Sequence, residues 1–329
     1  MKKNIAIIMG GYSSEVEISL QSGNVVYQYL DKEKYNLYRL HILKDKWVYV
    51  DENNTEHPIN VGDFTTTVNG YKIKFDCIFN AIHGHPGEDG VILAYFELLG
   101  LKHTSAPFYQ MAVTFNKRDT LSFLKPYGIN IATSHYINKG DEIDMESILK
   151  KVGLPCFVKP NRGGSSFGVT KVKDQKELMP AIEKAFEEDK EILIEEFLDG
   201  IEISVGIIEY NEKVKVLPIT EIVSENEFFD YDAKYLGKSQ EITPARISEI
   251  QSENVIIASE KIYKSLNLSG LSRADFIIVG ETPYFIEMNM VPGITSESIL
   301  PKQAKAAGIS LKELFGNAVE VALKNTNEQ

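Results

Sequence analysis

Apolar residues in the first hundred positions fall into short runs separated by glycine or polar segments. Residues 4–9 read as a buried strand, with the continuous apolar run "IAIIM" ending in Gly10-Gly11, a tight turn. "SSEVEISLQSGNVVYQYL" follows with helical spacing, and Ser14 with Glu17 supplies the S-x-x-E pattern of a capping box at its start. Two further strand-like runs, "LYRLHIL" and "FDCIFNAIHG", precede the helical "GVILAYFELLG". Alternation of this kind predicts a small α/β unit with a mostly parallel sheet, ending near residue 105.

The rhythm changes over residues 106–197. "LSFLKPYG" reads as a helix end, "PCFVKP" and "GVTKV" as strands, "QKELMPAIEKAFEE" as an amphipathic helix and "EILIEEFL" as another strand. From residue 198 to 329 strands dominate: "IEISVGIIE", "KVLPITEIV", "ADFIIV" and "YFIEMNM". A polar stretch, roughly 224–245, interrupts them. It is rich in acidic and aromatic residues, and a connection of that length in a compact protein is either functional or disordered.

Composition narrows the class. With 329 residues, 43% of them hydrophobic, the chain can bury two or three cores. A net charge of −12 opposes nucleic-acid binding, which needs a basic face. No apolar run approaches the roughly 20 residues that span a membrane. The short run after Lys2 and Lys3 lacks the length and cleavage site of a signal peptide. Cys77 and Cys156 both lie in apolar runs, as expected of reduced thiols in a cytoplasmic protein.

Three segments carry candidate chemistry. "KPNRGGSSFGVTKV" (159–172) has the glycines and serines of a phosphate-holding loop, but Val169 stands where a Walker lysine belongs and no helix follows. It reads as strand, glycine-rich turn, strand. Backbone N–H groups with the Ser165 and Ser166 hydroxyls could cover phosphate oxygens, and Lys159 would add a cation. A solvated hairpin turn fits the same pattern.

In "SRADFIIVGETPYFIEMNM", a register symmetric about residue 281 sets Asp275 opposite Glu287 and Arg273 opposite Asn289, all on one face. Like charges so placed repel, and a divalent cation relieves that repulsion. Asp, Glu and Asn are hard oxygen ligands suited to Mg²⁺ or Mn²⁺. Neutralisation by Arg273, or a register slipped by one residue, are the alternatives. Beyond it, "VPGITSES" offers the Gly293 N–H to a developing oxyanion.

"NAIHGHPGEDG" ends an apolar strand, which places His83 and Glu88 at the sheet edge where ligands gather. His83 and His85 have no third ligand nearby in sequence to make a metal site. Glu15, in the first helical turn, either complements the helix dipole or meets a ligand.

Taken in order, "MGGYSSEVEISLQSG", "HGHPGEDG", "FNKRDT", "KPNRGGSSFGVTKV", "FFDYDAKY", "TPA" and "EMNMVPGITSESILPKQAKAAGISL" resemble the D-alanine–D-alanine ligases, ATP-grasp enzymes of bacterial cell-wall synthesis. The resemblance implies an α/β (α+β) three-domain ATP-grasp fold: an N-terminal parallel-sheet domain (1–105), a central ATP-grasp subdomain with the glycine-rich flap (106–197), and a C-terminal one with the metal hairpin and the long loop (198–329). ATP would be a co-substrate, with two Mg²⁺ or Mn²⁺ ions, two D-alanine molecules and a homodimeric, cytoplasmic enzyme of peptidoglycan synthesis.

Residue by residue, the resemblance implies that Lys117 and Lys159 meet the phosphates. Glu195, Phe197 and Leu198 line the adenine site, and Glu202 the ribose. Asp275, Glu287 and Asn289 match metal ligands. Glu15 and His83 match the first D-alanine's site. Ser165 and Tyr235 match a hydrogen-bonded set with Glu15, and Lys234 and Ser298 lie near the γ-phosphate and the second D-alanine's carboxylate. Arg273 and the Gly293 N–H match oxyanion stabilisers. Gly163, Met290 and Glu297 depart from the commoner pattern, in which Glu, Thr and His are frequent. Tyr235, where lactate-using relatives often carry Phe, favours an amine as second substrate. Other members of the superfamily join different pairs, D-alanine with D-lactate among them. A Rossmann dehydrogenase is disfavoured because no G-x-G-x-x-G follows the first strand.

Overall fold

The computed structural model describes residues 2–164, 167–224 and 239–324. The first sheet contains β1 (Lys3–Gly10), β2 (Tyr35–Ile42), β3 (Trp47–Val50), β4 (Glu56–Asn60), β5 (Thr65–Val68), β6 (Tyr71–Ile73) and β7 (Cys77–Asn80), in the order β6-β5-β4-β3-β2-β1-β7. The expected parallel pairing holds for β2, β1 and β7. The remaining strands extend the sheet antiparallel, so "mostly parallel" overstated it. The meander from β3 to β6 was missed because its strands are three to five residues long and β4 to β6 are largely polar. They fold around aromatic contacts made at a distance, with Phe64 packed against Phe96 at 4.7 Å and Phe75 at 5.9 Å.

Helix α1 (Val16–Tyr29) follows β1, as the spacing predicted. Its capping box does not form. The N-cap position is Glu15, and the serine next to it that bonds is Ser13, whose Oγ accepts from the Glu15 N–H at 3.2 Å and donates to the His83 carbonyl at 3.1 Å. A tertiary acceptor has displaced the local cap. Helices α2 (Val91–Leu98), α3 (Phe108–Phe115) and α4 (Lys117–Leu124) lead to the second sheet.

That sheet comprises β8 (Ser134–Asn138), β9 (Cys156–Pro160), β10 (Thr170–Val172) and β11 (Glu191–Glu196), ordered β10-β9-β11-β8 and antiparallel throughout. Helices α5 (Met145–Val152) and α6 (Leu178–Glu188) supply apolar faces to a core with Val158, Ile192 and Ile194. The glycine-rich segment is the β9–β10 turn, as read from the sequence.

The third sheet holds β12 (Ile201–Tyr210), β13 (Lys213–Val216), β14 (Thr220–Ser224), β15 (Ser239–Ile242), β16 (Leu271–Val279) and β17 (Thr282–Asn289), ordered β15-β14-β12-β16-β17 with β13 also on β12. "KVLPITEIV" is two strands, broken near Pro218, whose ring cannot donate to a ladder. The polar stretch is shorter than expected, because Ser239–Ile242 forms a strand. Helices α7 (Glu249–Ser265), α8 (Ile299–Ala306) and α9 (Leu311–Lys324) complete the described chain.

The first and third sheets meet without space to spare. A Cβ on Gly270, which has φ +76°, would lie 2.1 Å from the Thr104 carbonyl oxygen. The β16–β17 hairpin is thereby held beside the carboxyl end of β7, where the candidate residues converge.

Candidate active site

The β16–β17 hairpin has the pairing that its charges suggested. Asp275 faces Glu287 and Arg273 faces Asn289. The expected register is reached through a bulge: Phe276 pairs with Phe285, so Ile286 is the extra residue. Arg273 donates from Nε and NH2 to both Asp275 oxygens, at 3.0 and 2.8 Å. Ser204 Oγ and Asn289 Nδ2 also donate to Asp275, at 2.6 and 3.1 Å. Lys117 Nζ lies 3.1 Å from Glu287 Oε2. Burial alone would lower the Arg273 guanidinium, but Asp275 outweighs it and holds it above its ordinary value.

Neutralisation by Arg273, one of the two alternatives, is therefore real; the register slipped by one residue holds only between the turn and the bulge, and the bulge restores the expected pairing at Asp275 and Arg273. Among the described residues, no three His, Cys, Asp or Glu side chains gather as a metal cage. The donor set is two carboxylates and an amide, hard oxygens that suit a magnesium-sized ion also held by substrate phosphates. Lys117 pairs with Glu287 and Arg273 with Asp275 as counter-charges to the two carboxylates.

Two cavities flank this hairpin. One opens between the second and third sheets. Lys117, Lys159, Glu195, Leu198, Glu202 and Asp275 line it, matching most of the expected nucleotide set. Lys159 Nζ and Glu195 Oε2 are 2.7 Å apart and largely buried. Burial opposes the lysine's charge, yet Glu195 outweighs that and raises its pKa. Phe197 is not part of this lining; its ring lies 6.2 Å from Phe157, which is.

The flap over this cavity is anchored by a residue the sequence reading passed over. Asn161 is fully buried. Its Oδ1 accepts from Arg118 N at 2.9 Å, its Nδ2 donates to Glu191 at 2.8 Å, and its carbonyl accepts from Lys117 N at 3.2 Å. The start of α4, where Lys117 sits, is thus tied to the flap. Ser165 and Ser166 lie outside the described residues, as do Lys234 and Tyr235.

The second cavity is lined by Glu15, His83, Glu88, Arg273, Gly293 and Ser298, among others. A Cβ on Gly164 would come 3.1 Å from Glu15 Oε1, so the flap reaches the first helix. His83 is buried and its Nε2 lies 3.0 Å from Ser22 Oγ. Burial lowers its pKa to about 4, so the ring is neutral at pH 7. Glu88 accepts from the Gly84 N–H at 3.1 Å, and burial, reinforced by Glu15, raises its pKa to about 7.

Gly293 packs against Ser298: a Cβ there would lie 2.8 Å from Ser298 Oγ. Ser298 is the N-cap residue of α8, and its hydroxyl lies 2.8 Å from that of Thr295. Lys117, Gly163, Gly164 and Glu287 belong to both cavities, so the hairpin stands at their seam. Ser204, Glu241 and Lys302 also lie in or beside the site, and no motif marked them; the β12–β16 pairing and the packing of α8 on β15, contacts between segments far apart in sequence, bring them in.

Two antiparallel sheets closing on a lysine-lined cleft, with an acid-and-amide hairpin at its base, define the ATP-grasp fold. Residues 4–106 match the model of the D-ala D-ala ligase N-terminus and 123–320 that of the D-ala D-ala ligase C-terminus. The chain belongs to the D-alanine–D-alanine ligase family. It is 65% identical over 321 residues to a D-alanine–D-alanine ligase of Flavobacterium johnsoniae, covering 98% of this chain and 99% of that one. A second such ligase, from Christiangramia forsetii, is 58% identical over 323 residues, with 98% and 99% covered. Among solved structures, the D-alanyl-alanine synthetase A of Vibrio cholerae superposes with a TM-score of 0.87 at 28% identity, over 98% of this chain and 99% of that one. The D-alanine–D-alanine ligase of Bacillus anthracis complexed with ATP gives 0.78 at 30% identity, over 98% and 97%. Among the described residues, no helix is long and apolar enough to cross a membrane.

Proposed function

We propose that the chain joins two D-alanine molecules with hydrolysis of ATP to ADP and phosphate, in the cytoplasmic stage of peptidoglycan synthesis. The observation that carries this reading is the position of Asp275, Glu287 and Asn289 on one face of the β16–β17 hairpin, at the seam between the lysine-lined cleft and the second cavity. The three units 1–105, 106–197 and 198–329 then correspond to substrate, flap and metal-hairpin parts.

In this reading ATP enters the first cavity with Lys117 and Lys159 at its phosphates. Both lysines are paired with carboxylates in the free protein, so nucleotide phosphate replaces one anionic partner by another. Asp275, Glu287 and Asn289 would hold Mg²⁺ or Mn²⁺, which would supply charge neutralisation at the transferring phosphoryl group. Glu15 holds the ammonium of the first D-alanine, and a carboxylate oxygen of that D-alanine attacks the γ-phosphorus, releasing ADP and forming its acyl phosphate. Neutral His83 and the largely protonated Glu88 contribute hydrogen bonds below pH 7 without added charge.

The acyl phosphate is attacked by the amine of the second D-alanine, whose carboxylate rests at Ser298. Arg273 and the Gly293 N–H stabilise the oxyanion of the tetrahedral adduct, and phosphate departs as the amide forms. The flap glycines cover the site and keep water from the acyl phosphate. Exposed Val91, Leu98, Phe108 and Tyr109, on the neighbouring helices α2 and α3, favour a homodimer as the working unit.

Phosphate release from ATP tests the reading. It is expected with D-alanine, weakly with L-alanine and at background with neither. Equal release in all three overturns it.

A further inference from the structure

Beside Ser298 the second cavity carries two carboxylates with no part in the reading above, Glu241 from β15 and Glu297. Their presence is an electrostatic problem. The amino acid proposed to bind at Ser298 presents a carboxylate of its own, and like charges in a partly enclosed site repel strongly.

Lys302 lies one helical turn beyond Ser298, its N–H 3.2 Å from the Ser298 carbonyl, so the two residues share a face of α8. Its Nζ stands 3.2 Å from Glu241 Oε2 and 3.9 Å from Glu297 Oε2. The partners differ in exposure. The Glu241 side chain is 17% exposed and that of Glu297 86%, so water screens the second pair far more than the first. Glu241–Lys302 is the contact in which charge matters. It also joins two elements distant in sequence, β15 and the helix that begins at Ser298.

We infer that Lys302 is a specificity-determining residue for the second substrate. By offsetting Glu241 it lets the pocket accept a carboxylate at Ser298, and the net single negative charge of the three side chains disfavours an incoming hydroxy acid. An amino acid arrives as a zwitterion with no net charge; an α-hydroxy acid arrives as an anion. The inference rests on the ligase reading and on Ser298 as the second-substrate end of the cavity.

The test uses the full-length enzyme and resolves the two D-alanine sites from the dependence of initial rate on D-alanine. Lys302→Met is expected to raise the second-site KM about tenfold, as loss of one member of a partly buried charge pair does. The KM for ATP and for the first D-alanine should stay within about twofold of wild type, since only one site is perturbed. Glu241→Gln with Lys302→Met removes both charges and should restore the second-site KM to within about threefold, a coupling that a merely structural role would not show. With D-lactate offered beside D-alanine, Glu297→Gln should raise the depsipeptide share of product.

An unchanged second-site KM in Lys302→Met, or a double variant no better than the single one, overturns the inference and leaves the ligase reading standing. If Lys302→Met does not fold, Glu241→Gln alone decides: the less opposed Lys302 should lower the second-site KM several-fold, and no change counts against it. Wild-type protein that releases no phosphate with D-alanine overturns the ligase reading and this inference together.

Discussion

Glu287 faces Asp275 because Ile286 is bulged out of the β16–β17 ladder. From the turn, Val279 pairs with Thr282 and Phe276 with Phe285; an unbroken ladder would then set Asp275 against Ile286 and Glu287 against fully buried Ala274. The extra residue moves Glu287 and Asn289 onto the face of Asp275 and Arg273. A bulge beside a reaction centre re-aims side chains in this way.

The first prediction concerns the metal. Asp275→Asn keeps the shape of the side chain but removes one anionic donor and releases Arg273 from its double hydrogen bond. The Mg²⁺ concentration for half-maximal activity should rise on the order of 10–100-fold, the range found when a group supporting a metal site is lost. Titration of activity with Mg²⁺ measures it, and an unchanged midpoint would remove Asp275 from the ligand set.

Arg273 serves two partners, Asp275 in the free protein and the oxyanion in the proposed reaction. Arg273→Ala should lower kcat on the order of 10²–10³-fold, as loss of an oxyanion donor does. The Mg²⁺ dependence distinguishes the two roles: saturating metal should not restore the rate. Near-normal kcat would contradict the assignment.

Glu88 makes stability depend on pH in a particular direction. Its carboxyl is raised from an ordinary 4.5 to about 7, first by burial and then by the charge of Glu15. The folded form holds this proton more tightly than the unfolded one, so Glu88 contributes a loss of stability as pH rises from 4.5 to about 7. Glu88→Gln should gain on wild type across that window and level off above it. Thermal melts of both proteins without nucleotide, at several pH values, check the sign; a difference independent of pH refutes it.

Gly270 joins the first sheet to the third through space that admits no side chain. Gly270→Ala would drive a Cβ to 2.1 Å from the Thr104 oxygen at a φ of +76°. Backbone strain and overpacking together should destabilise the protein on the order of 2–5 kcal/mol. Chemical denaturation measures it, with Gly140→Ala as comparison, because nothing lies within 4 Å of a Cβ there although φ is also positive.

Local pattern carried much of this protein. Period and punctuation determined β1, α1, the β9–β10 flap, α6 and the two strands of the hairpin, because each depends on residues a few positions apart. Alternation put Arg273 with Asp275 on one strand and Glu287 with Asn289 on the other; the bulge at Ile286 brings the two pairs onto one face. Contacts between distant segments decided the rest. The meander from β3 to β6 exists because Phe64 and Trp47 find Tyr95 and Phe96, and Ser14 loses its capping role because Ser13 finds the His83 carbonyl. Asn161 and Lys302 owe their places to partners 30 and 61 residues away. Hydrogen bonds and ion pairs across such separations leave no periodic trace, so the polar groups that set the shape of this site are fixed only when segments far apart in sequence pack together.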